Sequence, residues 1–271
     1  MNSRKVQVLA LAAWSVSLMQ GQNPPAEESP KPMRQEASPR FEVATVKPSD
    51  PSPSNSGSGF QLRGRRVVAV RKNLVNLITF AYGLHPSQVV GAPSWGDTEP
   101  FDVNGEPDEA GLPNLDQMRS MYRQLLTDRF HLAFHRAQKE LPVYVIRVGK
   151  GGPKLQPSTL AIPFPDQTMR GTGNLRETNA TMAEFAGELQ VAVLDRPVLD
   201  QTRLAGRFNF TLLWTPDEFQ TSGGTARPAN PNDARPSLTT AVQEQLGLKL
   251  EAIKAPADVL IIDKVEKPSG N

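Results

Sequence analysis

His131 and His135 stand four residues apart, the spacing that puts two imidazoles on one helix face where they can share a zinc ion. Here they flank Leu132, Ala133 and Phe134, which alternate as a strand does, and four strand residues span about 13 Å, too far for one metal. They read as solvated histidines of a sheet face, and His85, ahead of Pro86, as an exposed turn residue. A serine nucleophile would need a base and a sharp strand-to-helix turn. No Gly-x-Ser-x-Gly occurs, and Ser94 before Trp95 lies in a loop with no base near it in sequence. Glu106 with Asp108 and Glu109, and Asp217 with Glu218, fall in Pro/Gly-rich loops without the burial that raises a carboxyl pKa. Zero cysteines remove a thiolate nucleophile, a Cys-ligated zinc, an iron–sulfur cluster, a disulfide framework and a lipoprotein anchor. No glycine loop of the GxxxxGK[ST] or GxGxxG kind cradles a phosphate. The residues assign no catalytic, cofactor-binding or metal-binding set.

What remains are candidate interaction or pocket residues: Trp95, Arg129, His135, Asp200 and Trp214. Asp200 and Asp263 each end an apolar strand; Asp200 is placed to cap the turn Gln201–Gly206, and Asp263 to pair with Lys264 or Arg207. Trp95 and Trp214 lie near the middle of each half of the chain, as core plugs or as ligand-stacking rings. Arg63, Arg65, Arg66 and Arg71 make a basic patch, a solvated face or a contact for a membrane surface or an anionic glycan. Trp95, Arg129, His135 and Asp200 gathered in one concave pocket would mean an envelope enzyme or a sensor accessory of a peptidase. Scattered, they would mean a binding module.

The elements that position these residues recur twice. At an offset of 116, Leu126, Phe130, Leu132 and Phe134 fall on Val242, Leu246, Leu248 and Leu250, and Val143 to Val145 on Val259 to Ile261. At 107 or 108, Leu74, Leu77, Ile78 and Ala81 fall on Met182, Phe185, Ala186 and Leu189, and Phe101 to Val103 on Phe208 to Phe210. Each half predicts a strand (66–70; 174–178), a helix capped by Asn73 or Thr181, a strand-like piece (88–90; 196–199) and an alternating strand (101–103; 208–212). A second helix (115–127; 237–245) and two closing strands follow. The closing strands, 130–135 with 143–148 and 246–253 with 259–263, are expected as hairpins whose loops carry Pro142 and Pro256. The fold class is α+β: two tandem repeats, each a small, mostly antiparallel sheet with two helices on one face.

The expected organisation is a signal peptide over 1–22, a disordered Pro-rich spacer over 23–40, a first repeat over 41–155, a linker over 156–172 and a second repeat over 173–268. Arg4 and Lys5 followed by an apolar run to Met19 give the export pattern; the alternative is an uncleaved N-terminal anchor, the only expected membrane contact. Thirty basic against 28 acidic residues, with no basic block, argue against a nucleic-acid partner. The expected location is periplasmic or secreted, with another envelope protein as partner and the oligomeric state open.

Phe80-Ala-Tyr82, Val89-Val-Gly-Ala-Pro-Ser-Trp95, Leu125-Leu-Thr-Asp-Arg-Phe-His-Leu132, Val198-Leu-Asp-Gln-Thr202, Leu204-Ala-Gly-Arg-Phe208 and Leu238 through Glu251 together resemble an uncharacterised family expanded in Acidobacteria, a Solibacter-type domain of unknown function. The resemblance covers 41–268, and the family pattern usually has glycine where this chain has Arg203. It implies export, and in some members a neighbouring membrane zinc metallopeptidase of the antibiotic-sensor type; it implies no known activity. A fainter likeness, through Thr181-Met-x-x-Phe185, Phe208-x-Phe-x-Leu212 and Leu238 to Leu248, is to the short N-terminal domain of secretins and TonB-dependent receptors. Those modules meet protein partners in the periplasm.

Overall fold

Polar caps and αL turns punctuate the chain, and alternation between them makes strands. A computed structural model describes residues 31–50, 58–160, 166–169 (backbone only), 173–216 and 234–268. The expected leader 1–22, spacer residues 23–30 and the Asp217–Glu218 pair lie outside the described residues. The order is β1 (Phe41–Pro48), β2 (Gly59–Arg63), β3 (Arg66–Lys72), α1 (Leu74–Tyr82), β4 (Val89–Val90), α2 (Trp95–Thr98), β5 (Phe101–Pro107), α3 (Leu115–Phe130), β6 (Ala133–Val148), β7 (Gln156–Pro157), β8 (Asp166–Met169), β9 (Asn174–Ala180), α4 (Met182–Glu188), β10 (Val198–Asp200), β11 (Phe208–Leu213), α5 (Leu238–Leu246) and β12 (Leu248–Lys264). The chain is α+β. Among the described residues no helix is long and apolar enough to cross a membrane.

Helix starts follow from side-chain oxygens that replace the missing first-turn partners. Asn73 accepts from the Asn76 amide at 2.8 Å, Thr181 from the Glu184 amide at 3.1 Å and Ser237 from the Thr240 amide at 3.3 Å. Such caps each contribute about 1 kcal/mol. Asn114 and Gln117 close a reciprocal box at the start of α3, with both bonds at 2.9 Å.

Three four-stranded sheets form, with orders β1-β5-β3-β2, β10-β6-β12-β4 and β7-β11-β9-β8. The middle sheet corrects the expected closing hairpins. β6 and β12 are each one unbroken strand, and they pair with each other, antiparallel, from Leu248↔Val148 to Ile262↔Phe134. β10 adds parallel to β6 (Val198↔Tyr144) and β4 parallel to β12 (Val89↔Leu260), so each half lends a strand to the other's long strand. The two halves therefore share a sheet rather than each closing its own.

Pro142 and Pro256 lie inside these strands without breaking them. The Tyr144 amide donates outward to the Pro197 carbonyl at 2.8 Å, and the Asp258 carbonyl accepts from Gln88 Nε2 at 2.8 Å. Even-numbered residues of both strands thus turn their main-chain groups away from the partner strand. The missing proline N–H faces the same way, where no ladder bond is lost.

Two cores lie on one side of the middle sheet. Leu74, Leu77 and Ile78 of α1 and Met121, Tyr122 and Leu126 of α3 join Val67, Ala69 and Val103 of the first sheet and Leu260 of β12. Met182 and Phe185 of α4 and Ala241 and Val242 of α5 join Leu175 and Leu212 of the third sheet, Ile146 of β6 and Leu250 of β12. The described residues, 31–268, fall within one compact unit. Part of the expected spacer is docked on it: Met33 is buried, its amide donates to the Leu112 carbonyl at 2.8 Å, and Gln117 Nε2 donates to the carbonyl of Arg34 at 2.7 Å. Within the expected linker 156–172, β7 and β8 pair with β11 and β9.

Candidate functional site

Gly64 and Arg65 make the two-residue turn between β2 and β3, and Gly64 has the positive φ, 61°, that a glycine-first hairpin turn requires. Arg63 and Arg66 flank the turn and exchange both main-chain hydrogen bonds; alternation then turns the amides and carbonyls of Leu62 and Phe60 outward. β2 is the terminal strand of its sheet, so these groups meet no further strand among the described residues.

The two faces of β2 differ in chemistry. Towards the core, the Phe60 ring stacks on Phe80 at 3.8 Å and meets Tyr122 edge-on at 5.4 Å, while Leu62 is 40% exposed. Tyr122 is wholly buried and its hydroxyl has no hydrogen-bond partner among the described residues; burial pushes its pKa well up. The Lys72 ammonium sits 5.6 Å from the Phe60 ring centre, and burial holds its pKa below the usual lysine value.

On the outer face Arg63 donates from Nε and Nη2 to Gln61 Oε1, at 3.3 and 3.2 Å, and meets no carboxylate among the described residues. Arg65 and Arg66 each lie 3.8 Å from the same carboxylate, Glu106. Two guanidiniums thus share Glu106, while Asp50 and Asp102 line the groove beside Arg63 and Arg66. Arg63, Arg66, Val68, Val70, Asp102 and Asn104 line a groove of about 590 Å³ here, within the range of small-ligand sites, about 300–1,000 Å³. Asp102 is committed to the frame. It accepts from the Arg71 amide and from Ser49 Oγ, both at 2.8 Å, and so holds Arg71 in the left-handed region at φ 52°.

The candidates named from sequence have five separate surroundings. Trp95 meets Phe101 edge-on at 6.3 Å, with the Lys267 ammonium 5.7 Å from its ring. Arg129 Nη1 donates to the Ala44 carbonyl at 3.2 Å, over the first sheet. His135 Nδ1 lies 2.8 Å from Asp263 Oδ1, both exposed, across the β6–β12 pair. Asp200 Oδ1 caps its turn, accepting from the Thr202 amide at 2.9 Å and hydroxyl at 2.8 Å. Trp214 is 2% exposed in the second core.

Asp263 pairs with neither Lys264 nor Arg207: Lys264 bonds Glu266 at 2.9 Å, and Arg207 bonds Glu184 at 2.9 Å. His131 is not on a strand. It closes α3 at φ 50°, with Glu266 at 3.9 Å. His85 is a cap rather than a bare turn residue: its Nδ1 accepts from the Ser87 amide at 3.2 Å. Among the described residues no three His, Asp or Glu side chains gather as a metal would require. The β2 edge escaped the sequence reading. Its signal was present, because Phe60 and Leu62 alternate with Gln61 and Arg63 just beyond a Ser/Pro/Gly loop.

The pattern of a family described as a protein of unknown function, DUF3738, matches residues 75–265. The chain belongs to the DUF3738 family. No curated protein and no solved structure matches it. In this DUF3738 chain the matched span runs from α1 to just past β12, and the β2–β3 hairpin precedes it.

Proposed function

We propose that this DUF3738 protein is an exported, non-catalytic module of the cell envelope that binds or assembles with another protein by strand addition at an exposed sheet edge. The observation that carries the reading is β2, a proline-free terminal strand with outward main-chain groups and an exposed leucine. The separate surroundings of Trp95, Arg129, His135, Asp200 and Trp214 favour a surface that binds over a shared reaction site. Export rests on the leader pattern of residues 1–22 and on the secretin-like run of the second half.

The proposal includes a duplication in which the halves have exchanged strands. Three correspondences support it. Val198 pairs with Tyr144 as Val89 pairs with Leu260, the residue at the repeat position of Tyr144. Arg71 and Asn179 are both left-handed, and their amides donate to Asp102 and Asn209 Oδ1, each at 2.8 Å. The register shifts between Ala69 and Lys72 on β3, and at the matching place, Glu177 to Ala180 opposite Phe210 and Phe208, on the β9–β11 pair.

The test is capture of partners from an envelope extract of the host by the chain 23–271, read by mass spectrometry. A stoichiometric protein partner is expected. A glycan or small molecule co-purifying in its place would sink the proposal.

A further inference from the structure

We infer that the occupant of the β2 edge is an extended peptide segment of a partner protein in which acidic and apolar side chains alternate. This rests on the strand-addition reading above and names the chemistry of the segment. An added strand would bond to the outward amides and carbonyls of Phe60 and Leu62. Residues directly opposite one another in neighbouring strands share a face. Side chains opposite Phe60 and Leu62 therefore fall on the core side, beside the 40% exposed Leu62, and extend the apolar surface there. Side chains opposite Gln61 and Arg63 fall on the outer face, beside a guanidinium whose described partner is a neutral amide. Arg66 lies one strand further in, sharing Glu106 with Arg65. A carboxylate at those positions is the partner that an arginine fork matches best.

Other edges are less suited. The open flanks of β6 and β12 carry Pro142 and Pro256, β7 carries Pro157, and β4, β10 and β8 are two, three and four residues long. On β1 the Ala44 carbonyl is already taken by Arg129. β2 combines an unbroken row of main-chain groups with Arg63, whose described partner is the neutral Gln61 amide, so charge and main chain select the same kind of ligand.

The experiment measures fluorescence anisotropy of labelled peptides of about five to eight residues, a strand's length, against the chain 23–271. A peptide alternating Glu and Val should bind, and its Lys/Val counterpart should bind about tenfold or more weakly. N-methylation of alternate amides in the Glu/Val peptide should abolish binding with every charge in place. Arg63→Glu should weaken the Glu/Val peptide about tenfold or more. Leu62→Pro, which removes an outward donor without touching the β2–β3 ladder, should abolish binding. Equal binding of the N-methylated peptide, or of a Glu/Ser peptide of equal charge, would overturn the inference in favour of simple charge attraction to any polyanion. A partner captured from envelope extract as well by Leu62→Pro and Arg63→Glu as by the parent chain would overturn it too, and would leave the broader binding proposal standing. Failure of the parent chain to capture any protein strikes that broader proposal instead.

Discussion

Phe185→Ala should weaken both halves of the molecule together, although Phe185 touches only the second core. The ring is wholly buried and meets Phe210 edge-on at 5.0 Å. Removing such a side chain costs about 3–5 kcal/mol, the lost transfer energy plus the cavity. For a chain of this size each kcal/mol lowers Tm by about 2–4 °C, giving a fall of roughly 6 to 20 °C. The halves should not separate, because β6 and β12 meet in sixteen registered pairs. At about 0.2–1 kcal/mol per cross-strand pair, that seam couples them by about 3 to 16 kcal/mol. Coupling above about 5 kcal/mol exceeds what the substitution removes, and the two halves then melt in one transition. In the chain 23–271 the two remaining tryptophans report separately, Trp95 beside the first core and Trp214 within the second. Trp95→Phe and Trp214→Phe backgrounds, each with and without Phe185→Ala, give four thermal fluorescence curves. The two reporters should share one midpoint and fall together. A Trp95 signal that keeps its midpoint while the Trp214 signal drops would refute the shared-sheet argument.

Arg203 sits exposed at φ 59°, a left-handed backbone costing a non-glycine residue about 1–2 kcal/mol; Arg203→Gly should stabilise by about 0.5–1 kcal/mol after glycine's extra entropy, read as a small rise in Tm. Gln117→Ala removes the side-chain donor to the carbonyls of Arg34, which keeps the Ala37 amide, and of Ala37, at about 1–3 kcal/mol, and should speed tryptic cleavage after Arg34. A methyl group at Gly105 would overlap the Phe41 ring, so Gly105→Ala should destabilise by about 1–3 kcal/mol in chemical denaturation. Burial holds His85 below its ordinary pKa, with Asp195 opposing and Arg196 adding to that shift. The unfolded chain then binds the proton first, so the His85 contribution is complete above the unfolded pKa and falls away as pH drops below about 6.5. His85→Gln should flatten the dependence of the urea midpoint between pH 7 and 5; an unchanged slope would remove His85 from the account.

Much of the local structure was legible because it is written in neighbouring residues. Asn73, Thr181 and Ser237 announce α1, α4 and α5 through caps, and the 3.6-residue apolar spacing carries them onward. Pairing of the long strands was not. β6 and β12 carry the same apolar alternation, so periodicity cannot distinguish a strand folding on itself from one pairing with the other. Pro142 and Pro256 tilted the reading towards loops, and only the direction of their missing N–H, set by the register, shows that a strand tolerates them. The basic patch was visible as Arg63, Arg65, Arg66 and Arg71. Its meaning depended on Glu106, some forty residues later, being shared by two of them. Asp263 was expected to pair with Lys264 or Arg207, whereas its partner His135 reaches it across the ladder.

The pairing of β12 with β4 and β6 also sets a timetable for the growing chain. β4 and β6 appear early, but the strand they pair with, β12, is the last of the described strands to be made. Until it arrives, the first helices cover a sheet lacking its middle seam, and Leu260 is absent from their core. Contacts so distant in sequence close slowly. A nascent chain therefore completes its middle sheet only once β12 has been made.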